Sequence, residues 1–265
     1  MKIKEHALHL LFKALRFAGI LLVIYISMIF YLALTERRNA FPRAISHNEA
    51  RAAIKNSAHQ TSCTLEDGTV LEGWTIGKKE DPVFLYFPDA DEDGAQFIAE
   101  TQGIPGVLLA TFNYRGSGAN KGTPSEDNFE TDAQQIVQCA TQINGNEPQF
   151  LAGRGTGAIL ASNQLQTKQF LYLIDPATSI AGVIAEKYRI LYPRFLVRTK
   201  TAMNLQALKT MQSHIFIVSD RIRYCDRAHT AAGFLPKATV LKRSEMTLQE
   251  FFSNNLQKTK NSVSP

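Results

Sequence analysis

Residues 17–34 read Phe-Ala-Gly-Ile-Leu-Leu-Val-Ile-Tyr-Ile-Ser-Met-Ile-Phe-Tyr-Leu-Ala-Leu, eighteen positions without a charge. A helix needs about 20 apolar residues to cross the hydrocarbon of a bilayer. This run, closed by Thr35, just reaches that length. A cleaved signal peptide would have a shorter apolar stretch ending in small residues. Here the run ends Leu-Ala-Leu-Thr-Glu, a poor cleavage site, and no lipobox cysteine follows. The reading is therefore a retained signal anchor, ahead of a cleaved signal and of a buried core helix. Lys2, Lys4, Lys13 and Arg16 precede the run, and Arg37, Arg38 and Arg43 follow it. The charge bias towards an inside amino terminus is slight; it places the rest of the chain on the non-cytoplasmic side. The expected organisation is a basic segment at 1–16, a transmembrane anchor at 17–35, a linker at 36–59 with a short helix near 48–57, one domain at 60–258 and a tail at 259–265.

Charge follows the same division. The chain has 265 residues and a formal net charge of +5. Residues 1–38 hold six Lys/Arg and two Asp/Glu, which leaves 23 basic against 22 acidic residues for the remainder. A near-neutral body argues against a nucleic-acid-binding surface. Cys63, Cys139 and Cys225 are widely spaced and form no C-x-x-C pair. They give no support to a zinc or dithiol site, and three is too few and too odd for a disulfide framework. They read as three buried apolar thiols. No cofactor or metal is expected.

Beyond residue 60, short strand-like runs alternate with helical stretches, the pattern of a mostly parallel, doubly wound α/β sheet. Residues 61–65 and 70–76 flank Glu-Asp-Gly, a tight-turn signal. Further strands are expected at 82–87, 107–114, 149–152, 170–174, 214–219 and 238–242. Helices are expected at 125–143, 156–168, within 180–211, at 225–233 and at 246–257. Ser125 can cap the first of these, with Glu126 and Asp127 in its first turn. Phe129, Ala133, Ile136, Val137 and Ala140 line one face of it. In the last helix Leu248, Phe251, Phe252 and Leu256 do the same.

Strand-to-helix turns at the carboxyl ends of parallel strands are where such sheets place their sites. The sharpest candidate is Gly153-Arg154-Gly155-Thr156-Gly157. It matches the glycine frame of a nucleophile elbow, G-x-S-x-G, with glycine at the central position. Around it stand Asn113-Tyr114-Arg115-Gly116-Ser117-Gly118, then Gly122-Thr123-Pro124-Ser125, Asp132, and Asp175-Pro176-Ala177-Thr178-Ser179-Ile180. In this order and spacing the chain resembles the α/β-hydrolase superfamily, nearest to its serine-aminopeptidase-like and BEM46-like members, over residues 60–257.

The resemblance implies a catalytic triad, and its positions are lost one by one. The nucleophile falls on Gly155. The His-Gly of the oxyanion region falls on Pro88-Asp89, and proline has no N–H. The acid falls on Ile222, with Asp220 two residues early. The histidine falls in Lys242–Thr247, which contains none, and His229 lies before that strand. Asp175 could be an acid from the sixth strand, and Thr156 a hydroxyl beside the elbow, but neither has a base. Pro88, Asp89, Arg154, Gly155 and Thr156 form the candidate binding pocket.

Two competing features remain. Gly153-x-Gly155-x-x-Ala158, with Asp175 22 residues beyond Gly153, also fits a dinucleotide-binding turn, though several strands precede it. The stretch 187–209 carries Lys187, Arg189, Arg194, Arg198, Lys200 and Lys209 with no acidic residue before Asp220. It reads either as a cap helix with a solvated basic face or as a basic surface for an anionic membrane. The sequence thus predicts a membrane-anchored α/β-hydrolase-fold protein that is catalytically inactive and binds a protein or small-molecule ligand. An unconventional hydrolase of esters, thioesters or amides and a nucleotide-binding protein are the alternatives.

Overall fold

The computed structural model describes residues 2–220, 225–243 and 246–263. They divide into two compact bodies. The first consists of residues 1–40 and 181–199. Its core element is helix α1 (Lys2–Ala40), which runs unbroken through the expected basic segment and past the expected end of the anchor. Over Leu8–Ala40 it is long and apolar enough to span a membrane, and Leu21, Leu22, Val23, Ile24 and Ile26 are exposed.

The second body, residues 41–180 and 200–265, is built on an eight-stranded sheet in the order β1-β2-β4-β3-β5-β6-β7-β8. The strands are β1 (His59–Thr64), β2 (Val70–Ile76), β3 (Val83–Phe87), β4 (Leu108–Phe112), β5 (Phe150–Arg154), β6 (Phe170–Ile174), β7 (Ile215–Ser219) and β8 (Thr239–Lys242). β2 runs antiparallel to β1 and β4; every other pairing is parallel. All residues of β3, β4, β5 and β6 are buried. That is why these strands are continuous apolar runs: a parallel sheet is covered on both faces.

The helices are α2 (Asn48–Ile54), α3 (Gly94–Thr101), α4 (Glu126–Asn144), α5 (Gly157–Asn163), α6 (Ile180–Tyr188), α7 (Leu205–Leu208), α8 (Cys225–Phe234) and α9 (Leu248–Val263). α4 starts where its cap predicts: the Ser125 side chain accepts from the Asn128 amide and Asn128 returns the bond. α9 buries Phe251 and Phe252; the Phe252 ring lies 5.3 Å from Phe84 and 5.5 Å from Tyr172. α3 was not expected. Its signal is the capping box of Asp93 and Gln96, followed by Phe97 and Ile98, both buried. The expected helix at 156–168 is shorter, because the chain turns at Gln164–Gln169, where the Gln169 side chain donates to the Pro148 carbonyl at 2.8 Å.

The segment expected as a linker is not a free tether. Phe41 packs edge-on against Phe129 with centroids 5.2 Å apart, and Ala50 and Ile54 join the core beside Trp74. Arg51 pairs with Glu72 and with Asp93 (2.7 Å to the latter). Asp93 is fully buried and also accepts from the His47 amide (2.8 Å), the Asn113 side chain (3.0 Å) and the Ala95 amide (3.2 Å). Burial alone would raise its carboxyl, but Arg51 and these amides outweigh burial and hold it below the usual range. A depressed carboxyl contributes stability above its unfolded pKa of about 3.9 and loses it as pH falls through the folded value. Acid unfolding followed by circular dichroism should therefore be steeper below about pH 4 in the wild type than in Asp93→Asn.

The cysteine expectation is corrected. Cys63 on β1 and Cys139 on α4 form a disulfide, with Cα atoms 5.6 Å apart. An odd count of widely spaced cysteines hides a pair that only the fold brings together, since β1 and α4 are 76 residues apart at these positions.

Candidate functional site

The turn between β5 and α5 is built around glycine. Gly155 has φ +55°, a left-handed conformation that favours glycine. A Cβ at Gly153 would lie 2.4 Å from the Gly157 carbonyl, and one at Gly157 would lie 2.2 Å from the Pro88 carbonyl. The elbow frame is thus used as a close approach between the β5 turn and the end of β3. Thr156, the residue before α5, makes no side-chain cap to its own helix.

The position that a nucleophile would fill is not empty space. A Cβ at Gly155 would stand 2.0 Å from Asp89 Oδ2 and 2.6 Å from Asp89 Oδ1. The Asp89 carboxylate, arriving from β3, occupies the place where a side chain at 155 would begin. Its Oδ1 accepts from the Thr156 amide at 2.9 Å, the Thr156 hydroxyl at 2.7 Å and the Ala90 amide at 2.9 Å. In a serine hydrolase of this type the oxyanion hole consists of the amide after the nucleophile and an amide from the loop after the third strand. In this chain the Thr156 amide and, from the loop after β3, the Ala90 amide both donate to Asp89. Pro88 contributes its carbonyl, which accepts from the Tyr114 hydroxyl at 2.8 Å.

Of the five expected pocket residues, Pro88, Asp89, Gly155 and Thr156 come together. Arg154 does not join them, because successive side chains of a strand point to opposite faces. Its guanidinium bonds Glu92 (2.5 Å), Glu100 (3.0 Å) and Asp220 (3.4 Å) and lies 5.7 Å from the Phe97 ring centroid. Burial alone would disfavour its charge; the surrounding carboxylates hold the proton firmly. Burial also pushes the Glu92 carboxyl up against the pull of Arg154. Glu92 further accepts from the Tyr86 hydroxyl (2.8 Å) and the Asp89 amide (2.9 Å), so this charged cluster also fixes the backbone of Asp89.

The other family positions carry structure. Asp220, at the end of β7, pairs with Arg154 and with Arg243 from the region where a histidine would stand. Asp175 has φ +43° and is buried, and its Oδ1 accepts the Asp220 amide at 2.9 Å. His229 is exposed on α8. Ile222, the expected acid position, and residues 244–245 of the expected histidine region lie outside the described residues. Arg115 of the Asn-Tyr-Arg-Gly stretch makes a two-pronged bond to Asp132 (2.9 and 2.8 Å) and reaches Asp67 at 2.5 Å, tying the β1–β2 turn to α4. The dinucleotide reading has no support here: the Thr156 amide, which would meet a phosphate, already holds a carboxylate, and Asp175 is engaged with the backbone. Among the described residues no cluster of three or more His, Cys, Asp or Glu side chains could hold a metal ion.

The basic stretch is not one amphipathic helix. α6 ends at Tyr188, Arg189 takes φ +45°, and two 3-10 turns follow, Arg189–Leu191 and Arg194–Leu196. Lys187, Arg189, Arg194 and Arg198 belong to the first body, whereas Lys200 belongs to the second, where its amide donates to Glu126 at 2.6 Å.

No family model matches the chain, and no curated protein is significantly similar to it. Solved structures are. An esterase of Pyrococcus furiosus superposes with a TM-score of 0.58 at 14% identity, over 83% of this chain and 97% of that one. An alpha-beta hydrolase from Vibrio vulnificus gives 0.58 at 17%, over 85% and 88%. Carboxyl esterase 2 from the fungus Tuber melanosporum gives 0.54 at 13%, over 89% and 99%. The chain has the α/β-hydrolase fold.

Proposed function

We propose that this is a membrane-anchored α/β-hydrolase-fold protein that has given up acyl-transfer chemistry and works by binding. One observation carries the reading: the Asp89 carboxylate stands where the nucleophile would begin and satisfies both amides that would stabilise an oxyanion. A negative charge fixed there opposes the negative charge that develops on the substrate oxygen in acyl transfer. The absence of any histidine after β8 in the sequence points the same way, because a serine or threonine hydroxyl needs a base. The anchor reading is supported by α1, and placement of the second body outside the cytoplasm by the Cys63–Cys139 disulfide, since such bonds persist in oxidising compartments.

The test is reaction of the detergent-solubilised full chain with a fluorophosphonate probe, beside turnover of short-chain aryl esters. Neither labelling nor turnover above a heat-denatured control is expected. Gly155→Ser should be equally inert and also less stable, because its Cβ has to displace Asp89 from 2.0 Å. Stoichiometric labelling of the wild type with turnover would sink the proposal and put the unconventional hydrolase in its place.

A further inference from the structure

We infer that residues 187–198 form a second, monotopic contact with the bilayer beside α1, with Ile190 and Phe195 seated among the lipids of an anionic membrane and Arg189 and Arg194 at its headgroups. The inference rests on the reading of α1 as a membrane anchor and not on the loss of catalysis. It begins from how tightly this segment is joined to α1 within the first body. The Tyr25 hydroxyl donates to the Ile190 carbonyl at 2.9 Å, and Arg198 Nη2 donates to the Ala33 carbonyl at 2.7 Å. Glu36, only 4% exposed, accepts from the Tyr192 hydroxyl (2.7 Å), from the Arg198 and Thr199 amides (2.8 Å each) and from the Thr199 hydroxyl (2.9 Å). The Tyr188 hydroxyl donates to Asn39 Oδ1 at 2.7 Å.

These bonds run along α1 from Tyr25 to Asn39, about 21 Å at 1.5 Å per residue. The segment is therefore tied to the carboxyl-terminal half of the helix at several points. Tyr25 is inside the charge-free run 17–34 and its side chain reaches the Ile190 carbonyl, while Tyr188 and Tyr192 reach Asn39 and Glu36 just beyond that run, so the segment stands beside the end of α1 where a spanning helix leaves the hydrocarbon.

What the segment shows at its surface fits that boundary. Ile190 is 82% exposed and Phe195 85% exposed, although both are large and apolar. They are bracketed by Arg189 and Arg194, also exposed, and no acidic residue occurs between Lys187 and Asp220. Apolar tips flanked by cations with long apolar stems are the composition of an interfacial membrane contact, in which the stems lie in the boundary and the charges reach the headgroups. Ile190 and Phe195 belong to the same compact body as α1, whose own apolar side chains are exposed over the run that a bilayer would cover; the bilayer is therefore the occupant that fits them. Arg198 has a different part: it clamps α1 through Ala33 and Glu36.

The full-length protein reconstituted in phosphatidylcholine–phosphatidylglycerol vesicles gives a direct test, because the chain holds a single tryptophan, the buried Trp74. Ile190→Trp and Phe195→Trp each add one emitter at an exposed position, and the wild-type signal is subtracted. Brominated acyl chains are expected to lower the added emission at least about twofold, with acrylamide having little effect. Quenching by acrylamide and not by brominated lipid, in protein that stays with the vesicles through an alkaline wash, would place the segment in water; release by the wash would instead remove the anchor reading and the inference with it. Quenching by neither would mean that protein covers it. Either result overturns the inference.

Discussion

Replacing Arg154 by methionine should destabilise the protein by about 3–5 kcal/mol, the usual cost of removing one partner from a buried charge pair. Methionine keeps most of the side-chain volume and the contact with Phe97, so the loss reports charge. Without the guanidinium, Glu92 remains 7% exposed with no cation beside it, Asp220, at 3%, keeps only Arg243, and Glu100, at 41%, is free to turn to water. Burial already pushes the Glu92 carboxyl up in the intact cluster, and losing the cation must raise it further. A carboxyl whose folded pKa lies above its unfolded value stabilises the fold when protonated, and that stability is lost as pH rises through the folded pKa. The variant's deficit should therefore be largest at pH 8 and smaller at pH 5, in contrast to the acid loss expected from Asp93. Urea unfolding at the two pH values measures it, and Glu92→Gln added to Arg154→Met should recover part of the loss. Equal deficits at both pH values, with no recovery, would show that Arg154 matters only as packing.

The same residue shows what was legible in the sequence. The strands β3 to β6 could be read because burial on both faces leaves an unmistakable apolar run, and the elbow frame could be read because close approaches demand glycine at 153, 155 and 157. Alternation along β5 also contained the information that Arg154 faces away from Gly153 and Gly155, which grouping it with Asp89 overlooked. The Asp93–Gln96 capping box was equally present and marks α3. What the sequence could not express is the partner of each vacancy. Asp89 and Gly155 are 66 positions apart, and their meeting depends on the parallel pairing of β3 with β5. The Ala90 and Thr156 amides that donate to Asp89 are backbone groups with no sequence signature at all. The tie of Glu36 to Tyr192 and Thr199 spans more than 150 positions in the same way, so 36–59 read as a linker although both ends of it are engaged.

The second large effect is expected from the disulfide. β1 is an edge strand that, among the described residues, pairs with β2 alone, and most of its residues are exposed or half-buried. It is held to α4 by the Cys63–Cys139 bond and by neighbouring polar contacts: the Gln135 side chain accepts the Glu66 amide at 2.6 Å, and Arg115 bridges Asp132 and Asp67. The bond closes a chain segment of 76 residues, and closing a loop of that length in the unfolded chain is worth about 4 kcal/mol in the entropic account. Cys63→Ser, Cys139→Ser and reduction of the wild type should each lower the melting temperature by about 10 °C, and the two serine variants together should cost no more than either alone. The same bond reports the compartment. In native membranes, a maleimide-polyethylene-glycol reagent applied to the denatured chain should add one label per molecule before reduction, on Cys225, and three after it. Three labels without reductant would mean that the thiols are free in the cell and would remove the disulfide as an argument for the non-cytoplasmic side. One label, with the loss of stability on reduction, would tie the fold of the second body to an oxidising compartment.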